Sequence, residues 1–263
     1  MNPVISLKDV WLKYNSRREW ALRGLNITIH QGEWITIIGG NGSGKSTLIR
    51  LMNGLLQPSA GEVTVCGMPV GDPNHLMEIR QKVGMVFQNV ENQIVGLTVE
   101  EDTRFGLYNI GIAMDEIENR CRDVWEPLEM TDKKNDLPHY LSGGEKQKLA
   151  IAGILVMQPE VIIFDESASM LDAKCTEQMH KLMTELHSKN CTIIQVTNDV
   201  EEILHCSRLV IIHKGSIRFD GPPLEATRNP SLFKQCGLLP PFSARIRDIV
   251  AEYGKRWLDL VSM

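Results

Sequence analysis

The chain has 263 residues, a length that suits one α/β domain with a small appendage. Hydrophobic residues make up 43% and charged residues 23%, as in folded proteins, which excludes wholesale disorder. A formal net charge of −5 with a pI near 5.8 excludes the basic footprint of a general nucleic-acid binder.

The sequence predicts neither a membrane span nor a secretory signal. No run of 18 apolar residues occurs, and the first residues lack a charged segment followed by an apolar one. The six cysteines form no CxxC pair, so a zinc or thiol-redox site is not indicated, and we expect free thiols in a reducing cytosol. Any membrane role must therefore come through a partner.

The first elements of the chain are strands. From Leu25 to His30 apolar and polar residues alternate, which predicts a half-exposed antiparallel strand. Apolar runs without alternation follow at 34–38, 161–164, 191–196 and 209–212. Such runs, separated by helical stretches, are typical of a parallel sheet covered on both faces.

Between Val90 and about Tyr140 the strands disappear, charges become dense, and the pattern predicts an inserted helical subdomain of about residues 90–150. After Pro240 and Pro241, apolar residues from Ile246 to Val261 recur at helical spacing. We therefore divide the chain into a main domain, 1–235, and a helical extension, 236–263.

Residues Gly39 to Ser46 match the pattern GxxxxGK[ST] between a predicted strand and a predicted helix. Glycines allow successive backbone N–H groups to surround a polyphosphate, and the helix N-terminus adds positive charge. Lys45 would reach the β- and γ-phosphates, and the Ser46 hydroxyl would ligate Mg²⁺. A glycine-rich hairpin turn is the alternative, but a helical pattern follows where a hairpin needs a second strand.

Two carboxylates follow the apolar run 161–164. Asp165 at the carboxyl edge of a buried strand can hold Mg²⁺ opposite Ser46, and Glu166 can orient or deprotonate an attacking water. A strand that simply ends in polar residues is the alternative, which the nearby phosphate loop makes the weaker interpretation.

A second glycine motif, Leu141 to Glu145, opens a helical stretch. Ser142 and Glu145 have the spacing of a capping box, which many ordinary helices carry. Two glycines and a serine at a helix start also form an anion site. One chain thus offers two phosphate-binding helix ends, so either it binds two nucleotides or two chains share them.

Five segments in this order resemble those of the ATP-binding-cassette (ABC) ATPases: the phosphate loop Gly39–Ser46, the glutamine loop at Gln88, the signature Leu141–Glu145, the pair Asp165 and Glu166, and the D-loop 169–172. Segments 86–93 and 98–102 resemble the energy-coupling-factor (ECF) group, which includes cobalt and nickel importers. The resemblance implies an α/β P-loop NTPase (RecA-like) core with a parallel sheet, an N-terminal antiparallel β portion and an inserted α-helical subdomain.

The resemblance also assigns roles. ATP is contacted by Tyr14, Gly39, Asn41, Gly42, Ser43, Gly44, Lys45, Ser46 and Thr47, with Tyr14 stacked on adenine unless it only packs on the core. The partner's ATP is contacted by Leu141, Ser142, Gly143, Gly144 and Glu145. Hydrolysis involves Glu166, Gln88 and Asn198, Mg²⁺ involves Ser46, Asp165 and Gln88, and the D-loop contributes Asp172.

Asn198 is the main departure from the family, whose members carry histidine at this position. An amide can donate a neutral hydrogen bond to the γ-phosphate but cannot carry positive charge near neutral pH. Losing such a donor typically costs on the order of 10²–10³ in rate, so we expect nucleotide binding with slow hydrolysis. The alternative is that Asn198 substitutes adequately. Two further departures are Val90, where members of the family usually have proline, and Glu145, where they most often have glutamine.

The resemblance implies a head-to-tail dimer at the cytoplasmic face of the membrane. The extension 236–263 resembles the dimer-stabilising tail of these ATPases, although its apolar stripe could equally pack on its own domain. Because we expect the Asn198 site to be slow, a sibling ATPase with an intact histidine is favoured over a second copy as the dimer partner. Further partners are a transmembrane coupling subunit, docked near Asn89 to Ile94, and a membrane protein that captures the solute, a vitamin or a transition-metal ion. Alternatives are a soluble ABC ATPase that remodels nucleic acid or protein, and a regulatory subunit that binds ATP without hydrolysis.

Overall fold

The computed structural model of the chain describes residues 2–15, 19–166 and 173–246, without the side chains of 173–175. The strands are β1 Pro3–Leu12, β2 Leu22–His30, β3 Trp34–Ile38, β4 Ala60–Val65, β5 Met68–Pro69, β6 Val83–Val86, β7 Val161–Asp165, β8 Thr192–Thr197, β9 Arg208–His213 and β10 Ser216–Gly221. The α-helices are α1 Lys45–Met52, α2 Leu76–Lys82, α3 Val99–Asn109, α4 Met114–Trp125, α5 Gly143–Leu155, α6 Ala173–Ser188, α7 Pro223–Thr227 and α8 Pro230–Gln235.

Two sheets form the core. The first is antiparallel, with the order β2-β1-β4-β5. The second has the order β10-β9-β3-β8-β7-β6, in which all neighbours are parallel except the edge strand β10. Because the carboxyl ends of parallel strands share one edge, the loops after β3, β6, β7 and β8 converge there.

The burial of the strands follows their sequence patterns. In β2 the residues Leu25, Ile27 and Ile29 are buried, while the residues between them are more exposed. Every residue of β3, β7 and β8 is buried, as expected for central strands of a sheet covered by helices. The continuous apolar runs therefore form buried central strands, and the alternating run forms a half-exposed strand, as predicted.

The chain between β6 and β7 is helical throughout its described elements. Helices α3 and α4 pack on α5, and together with the outer face of the parallel sheet they surround one hydrophobic cluster that includes Leu107, Trp125 and Leu149. Trp125 Nε1 donates to Thr103 Oγ1 at 3.1 Å, which joins α4 to α3 inside this cluster.

The predicted α/β class, with a parallel core and an antiparallel N-terminal portion, is confirmed. The antiparallel edge strand β10 was not predicted. Cys236, the first residue of the predicted extension, is buried in a cluster with Phe233 and Ile38, and most of the extension lies outside the described residues. In the described part of the chain, no helix has the length and apolar character needed to cross a membrane.

Candidate active site

The phosphate loop connects β3 to α1 at the carboxyl edge of the parallel sheet. Gly42 and Gly44 have φ of 74° and 110°, a region that side-chain-bearing residues rarely adopt. Helix α1 begins at Lys45, and Gly44 at its N-cap supplies no side-chain hydrogen bond. The first backbone N–H groups of α1 are therefore directed at a site suited to an anion.

Close packing fixes the start of this loop. A Cβ on Gly39 would lie 2.4 Å from the Ile212 carbonyl oxygen and 2.6 Å from Ser43 Oγ, so only glycine fits there. Gly215 N donates to the Ser43 carbonyl oxygen at 2.8 Å, which ties the loop to the β9–β10 turn. Ser43 Oγ itself is buried and has no protein partner, so a hydroxyl remains to contact a bound ligand.

Lys45 lies at the centre of a polar network. Its Nζ donates to the Gly39 carbonyl oxygen at 2.6 Å and to Asn198 Oδ1 at 2.7 Å. Asn198 Nδ2 donates in turn to Glu166 Oε1 at 2.5 Å, and Gln88 Nε2 donates to Glu166 Oε2 at 2.7 Å. Four residues predicted for the site, which lie on the loops after four strands, thus meet in one constellation.

Glu166 has an unusual backbone conformation. Its φ is 47°, and its N–H donates to the Val196 carbonyl oxygen on the neighbouring strand at 2.8 Å. Left-handed backbone costs a non-glycine residue about 1–2 kcal/mol, and it persists where the surroundings impose it. The sharp turn directs the carboxylate away from the end of β7 and towards Lys45, whose Nζ lies 4.0 Å from Glu166 Oε1.

Asp165 is a buried carboxylate, only 7% exposed. Burial, and to a lesser extent the nearby charge of Glu166, raises the pKa of Asp165 to about 6, while Arg50 and Lys45 oppose the shift. A buried acid with this raised pKa is a group that gains from a neighbouring cation. With the exposed hydroxyl of Ser46, it supplies the hard oxygen donors that Mg²⁺ prefers.

Burial lowers the pKa of Lys45, whereas Glu166 and Asp165 act in the opposite direction. The lysine is only 5% exposed, so its charge is balanced inside the protein by these two acids rather than by water. A polyphosphate that brings further negative charge next to Lys45 favours the charged amine, which is the electrostatic requirement of a nucleotide site.

The phosphate loop lines a cavity of about 590 Å³. Its wall contains Glu19, Trp20, Ala21, Asn41, Gly42, Ser43, Gly44, Lys45, Ser46, Thr47, Gln88 and Glu166. Tyr14 lies next to this wall, with its hydroxyl 3.0 Å from Thr47 Oγ1, and packs partly against the core. Trp20 was not predicted as a site residue; it is 39% exposed and rests edge-on against Trp11, with ring centroids 5.5 Å apart.

The second glycine motif starts α5 as a capping box. Ser142 Oγ accepts from Glu145 N at 3.4 Å, and Glu145 Oε2 accepts from Ser142 N at 2.8 Å. Lys133 Nζ pairs with Glu145 Oε1 at 2.5 Å, and these contacts lower the pKa of Glu145 to about 2. The negative charge at this helix end is thus balanced by Lys133, and Ser142 and Gly143 remain exposed.

The glutamine loop is joined to α5. Gln93 Oε1 accepts from Phe87 N at 3.2 Å, and Gln93 Nε2 donates to the Ala150 carbonyl oxygen at 3.3 Å. Lys146 of α5 pairs with Glu91 at 2.5 Å. A displacement of Gln88 can therefore be transmitted to the helix that begins with the signature.

Within the described part of the chain, no hydrogen bond or ion pair joins Leu141–Glu145 to the phosphate loop. The two anion sites of one chain are thus separate, as expected if two chains share them. Asp172 of the predicted D-loop lies outside the described residues. Sequence patterns missed Lys133 and Trp20, because neither belongs to a local motif.

The site combines a glycine-rich loop that opens a helix, a pair of carboxylates, and a lysine that lies between the loop and the carboxylates. This combination defines a P-loop ATPase. Residues 22–169 match the family model described as ABC transporter. The energy-coupling factor transporter ATP-binding protein EcfA of Pediococcus pentosaceus is 40% identical over 256 residues, covering 97% of this chain and 91% of that protein. The chain belongs to the ABC transporter family, as one of its ATP-hydrolysing, ATP-binding subunits.

Solved structures agree with this assignment. The chain superposes on cbiO1 from Clostridium perfringens, described as part of the ABC transporter complex cbiONQ, with a TM-score of 0.80 and 31% identity; the match covers 94% of this chain and 100% of that one. The cassette MJ0796, solved as a dimer bound to ADP and phosphate, gives a TM-score of 0.75 at 29% identity, with 83% and 98% covered.

Proposed function

We propose that this chain is an ATPase subunit of an ECF-type importer, which couples ATP hydrolysis to uptake of a vitamin or transition-metal ion through membrane partners. The names of the relatives support this proposal: curated ECF transporter ATP-binding proteins match nearly the whole chain, and cbiO1 belongs to a transporter complex. The protein associates peripherally with the membrane, and we place it at the cytoplasmic face.

The proposed chemistry uses groups that are already in place. Backbone amides of the phosphate loop and Lys45 bind the phosphates, and Glu166 holds the attacking water and accepts its proton. Ser46, Asp165 and Gln88 would hold Mg²⁺, which neutralises charge on the phosphate oxygens. Gln88, bonded to Glu166 on one side and connected through its loop to α5 on the other, reports the state of the site to the helical region.

One observation carries the proposal of slow hydrolysis: the Asn198 side chain bridges Lys45 and Glu166 as a neutral amide. A histidine at this position could place a charged donor on the γ-phosphate, and a charge-assisted hydrogen bond is about twice as strong as a neutral one. Asn198 thus orients the lysine and the glutamate but contributes less to the charge developed in the transition state.

The test is ATP turnover of the assembly purified with this chain, before and after Asn198→His. We expect the histidine variant to hydrolyse ATP at least ten-fold faster, with Asn198→Ala slower than wild type as the matched control. An unchanged rate for the histidine variant would show that Asn198 substitutes adequately, and an unchanged rate for the alanine variant would remove Asn198 from the site.

We propose that two ATP molecules are bound between two subunits, each between the phosphate loop of one and the signature of the other. The exposed start of α5 and the dimeric relative MJ0796 support this arrangement. A sibling ATPase with an intact histidine is the favoured partner, because it would supply a fast site beside the slow one. Mass spectrometry of the intact assembly distinguishes two different ATPase chains from two copies of this one.

The membrane partner is proposed to dock beside Gln88–Ile94. Three large apolar side chains lie exposed in the chain that follows this segment: Leu97, which precedes α3, and Phe105 and Tyr108 on α3. Two further assignments are proposals carried over from the family: Tyr14 as the adenine platform and Asp172 as the D-loop aspartate. We also retain as a proposal that the extension 236–263 stabilises the dimer.

A further inference from the structure

The turn after β8 carries both Asn198 and Glu201. Asp199 N donates to Thr197 Oγ1 at 3.0 Å, and Asp199 Oδ1 accepts from Glu201 N at 2.9 Å. These two bonds close a short 3-10 segment, Val200–His205, directly behind Asn198. The two bonds connect Glu201 through Asp199 to Thr197, the residue before Asn198, so we expect a shift at Glu201 to reach Asn198.

The C-terminal segment packs against this turn. Pro240, Pro241 and Ala244 are buried, and Cys236 shares a hydrophobic cluster with Ile203 of the turn. This cluster also contains Ile38, the residue that precedes the phosphate loop. The beginning of the extension is therefore part of the packing beneath the active site.

One polar contact joins the two segments. Phe242 N donates to Glu201 Oε1 at 2.7 Å, and Arg245 Nη2 lies 3.9 Å from the same oxygen. Residues 242–246 are helical, so Phe242 N is one of the first amides of a helical turn, which has no acceptor within its own helix. Glu201 supplies that acceptor. The ion pair with Arg245 is half-exposed and contributes less.

We propose that Glu201 is a positioning residue for ATP hydrolysis. By capping the helical turn at Phe242, Glu201 fixes the C-terminal segment against the turn after β8, and this keeps Asn198 within hydrogen-bonding distance of Lys45 and Glu166. This inference rests on the proposed role of Asn198. A partner protein that binds the extension would, through this contact, change the rate of ATP hydrolysis.

The expected effect falls on turnover rather than on binding. ATP is bound by the backbone amides of the phosphate loop, which contact neither Glu201 nor Phe242 in the described structure. Asn198 must meet two partners at 2.7 and 2.5 Å, and a misplacement of 1 Å in such a constellation can cost about 10²-fold. We expect a loss of about ten-fold in kcat, with KM changed less than two-fold.

Two pairs of matched variants isolate the contact in the full chain, purified with its assembly. Phe242→Pro removes the N–H donor at a first helical position, where proline is tolerated, and Phe242→Ala keeps the donor but removes a ring that is 59% exposed. Glu201→Ala removes the acceptor, and Glu201→Gln keeps an acceptor oxygen. Thermal melting of each variant checks the fold.

Phe242→Pro and Glu201→Ala should each slow turnover about ten-fold, while Phe242→Ala and Glu201→Gln stay near wild type. The double variant Glu201→Ala with Phe242→Pro should be no slower than either single variant, because both break one contact. Independent losses that multiply, a parallel rise in KM, or wild-type turnover in both disruptive variants would overturn the inference.

Asn198→Ala separates this inference from the proposed function. If Asn198→Ala slows turnover and the disruptive variants do not, Glu201 does not position the site although Asn198 acts in it. If Asn198→Ala itself leaves turnover unchanged, the proposed role of Asn198 fails. Should one disruptive variant fail to fold, the other tests the same contact from its opposite side.

Discussion

Two side chains of this site, Asn198 and Asp165, have properties that suit ligand binding. The Asn198 amide accepts a hydrogen bond from Lys45 and donates one to Glu166, which only a group with adjacent donor and acceptor can do. Asp165 is buried at an energetic cost that a bound cation relieves. Both features favour a site organised for ligand binding over one optimised for the stability of the unliganded chain.

Asp165→Asn should therefore stabilise the protein in the absence of nucleotide and metal. A carboxyl whose pKa rises from 3.8 to about 6 on folding costs on the order of 3 kcal/mol above pH 6, because the folded chain disfavours its charged form. The cost is fully present above pH 6 and disappears as the pH falls towards 4. Denaturant unfolding should show a larger gain for the variant at pH 7.5 than at pH 4.5, where most of the cost has disappeared.

A gain at pH 7.5 that persists unchanged at pH 4.5 would contradict this assignment. The same variant should lose ATP turnover, since the proposed Mg²⁺ site would lose a carboxylate ligand. Glu166→Gln provides the matched control: it also removes turnover, but its pH-dependent gain should be smaller, because burial of Asp165 contributes more to the raised pKa than the charge of Glu166 does.

The adenine platform is a second residue-scale prediction. Tyr14→Ala should weaken ATP binding about 5- to 100-fold, as expected when one base–aromatic stack is lost. Binding of tripolyphosphate, which has no base, should be unchanged in isothermal titration. Trp20→Ala is the matched control, because Trp20 also lines the cavity. If Trp20→Ala weakens ATP and Tyr14→Ala does not, the platform is Trp20.

At the scale of elements, local patterns predicted what local forces determine. Alternation placed β2, and apolar runs placed β3, β7, β8 and β9, because side-chain periodicity reflects how many faces of a strand are buried. The phosphate loop and the capping box could also be predicted, since glycine, lysine and serine act there through neighbouring residues.

Other features depend on contacts between distant residues. Lys45 and Asn198 are 153 positions apart, and the pairing of Lys133 with Glu145 joins a loop to the start of α5. The bonding of Glu201 to Phe242 likewise depends on how the C-terminal segment crosses the core. No local period encodes these pairings, and only the folded chain reveals them.

The capping box of α5 yields a prediction about stability. Glu145→Ala removes the acceptor for Ser142 N and the partner of Lys133, and should cost about 1 kcal/mol, or roughly 2–4 °C in Tm. Glu145→Gln retains an acceptor for Ser142 N and should lose less. Equal melting temperatures for wild type and Glu145→Ala would show that the box does not stabilise the helix.

At the scale of the whole molecule, the exposed apolar side chains on and just before α3 form the surface that we propose for the membrane partner. Leu97, which precedes α3, is 76% exposed, and Phe105 on α3 is 51% exposed. Replacing both by serine should abolish co-purification of the membrane subunit while leaving ATP binding intact. Leu224→Ser, at an exposed apolar residue on α7, is the matched control. Retained co-purification of the double variant would move the docking surface elsewhere.

Binding of ATP by the phosphate loop is the central proposal, and the affinity of the purified chain for ATP tests it directly. Isothermal titration should show ATP binding to the wild type, weakened about 10- to 100-fold in Lys45→Ala, since one charge-assisted contact to the phosphates is lost. Equal affinity in the two proteins, or no ATP binding by the wild type alone or assembled with its partners, would show that the phosphate loop does not hold ATP through Lys45.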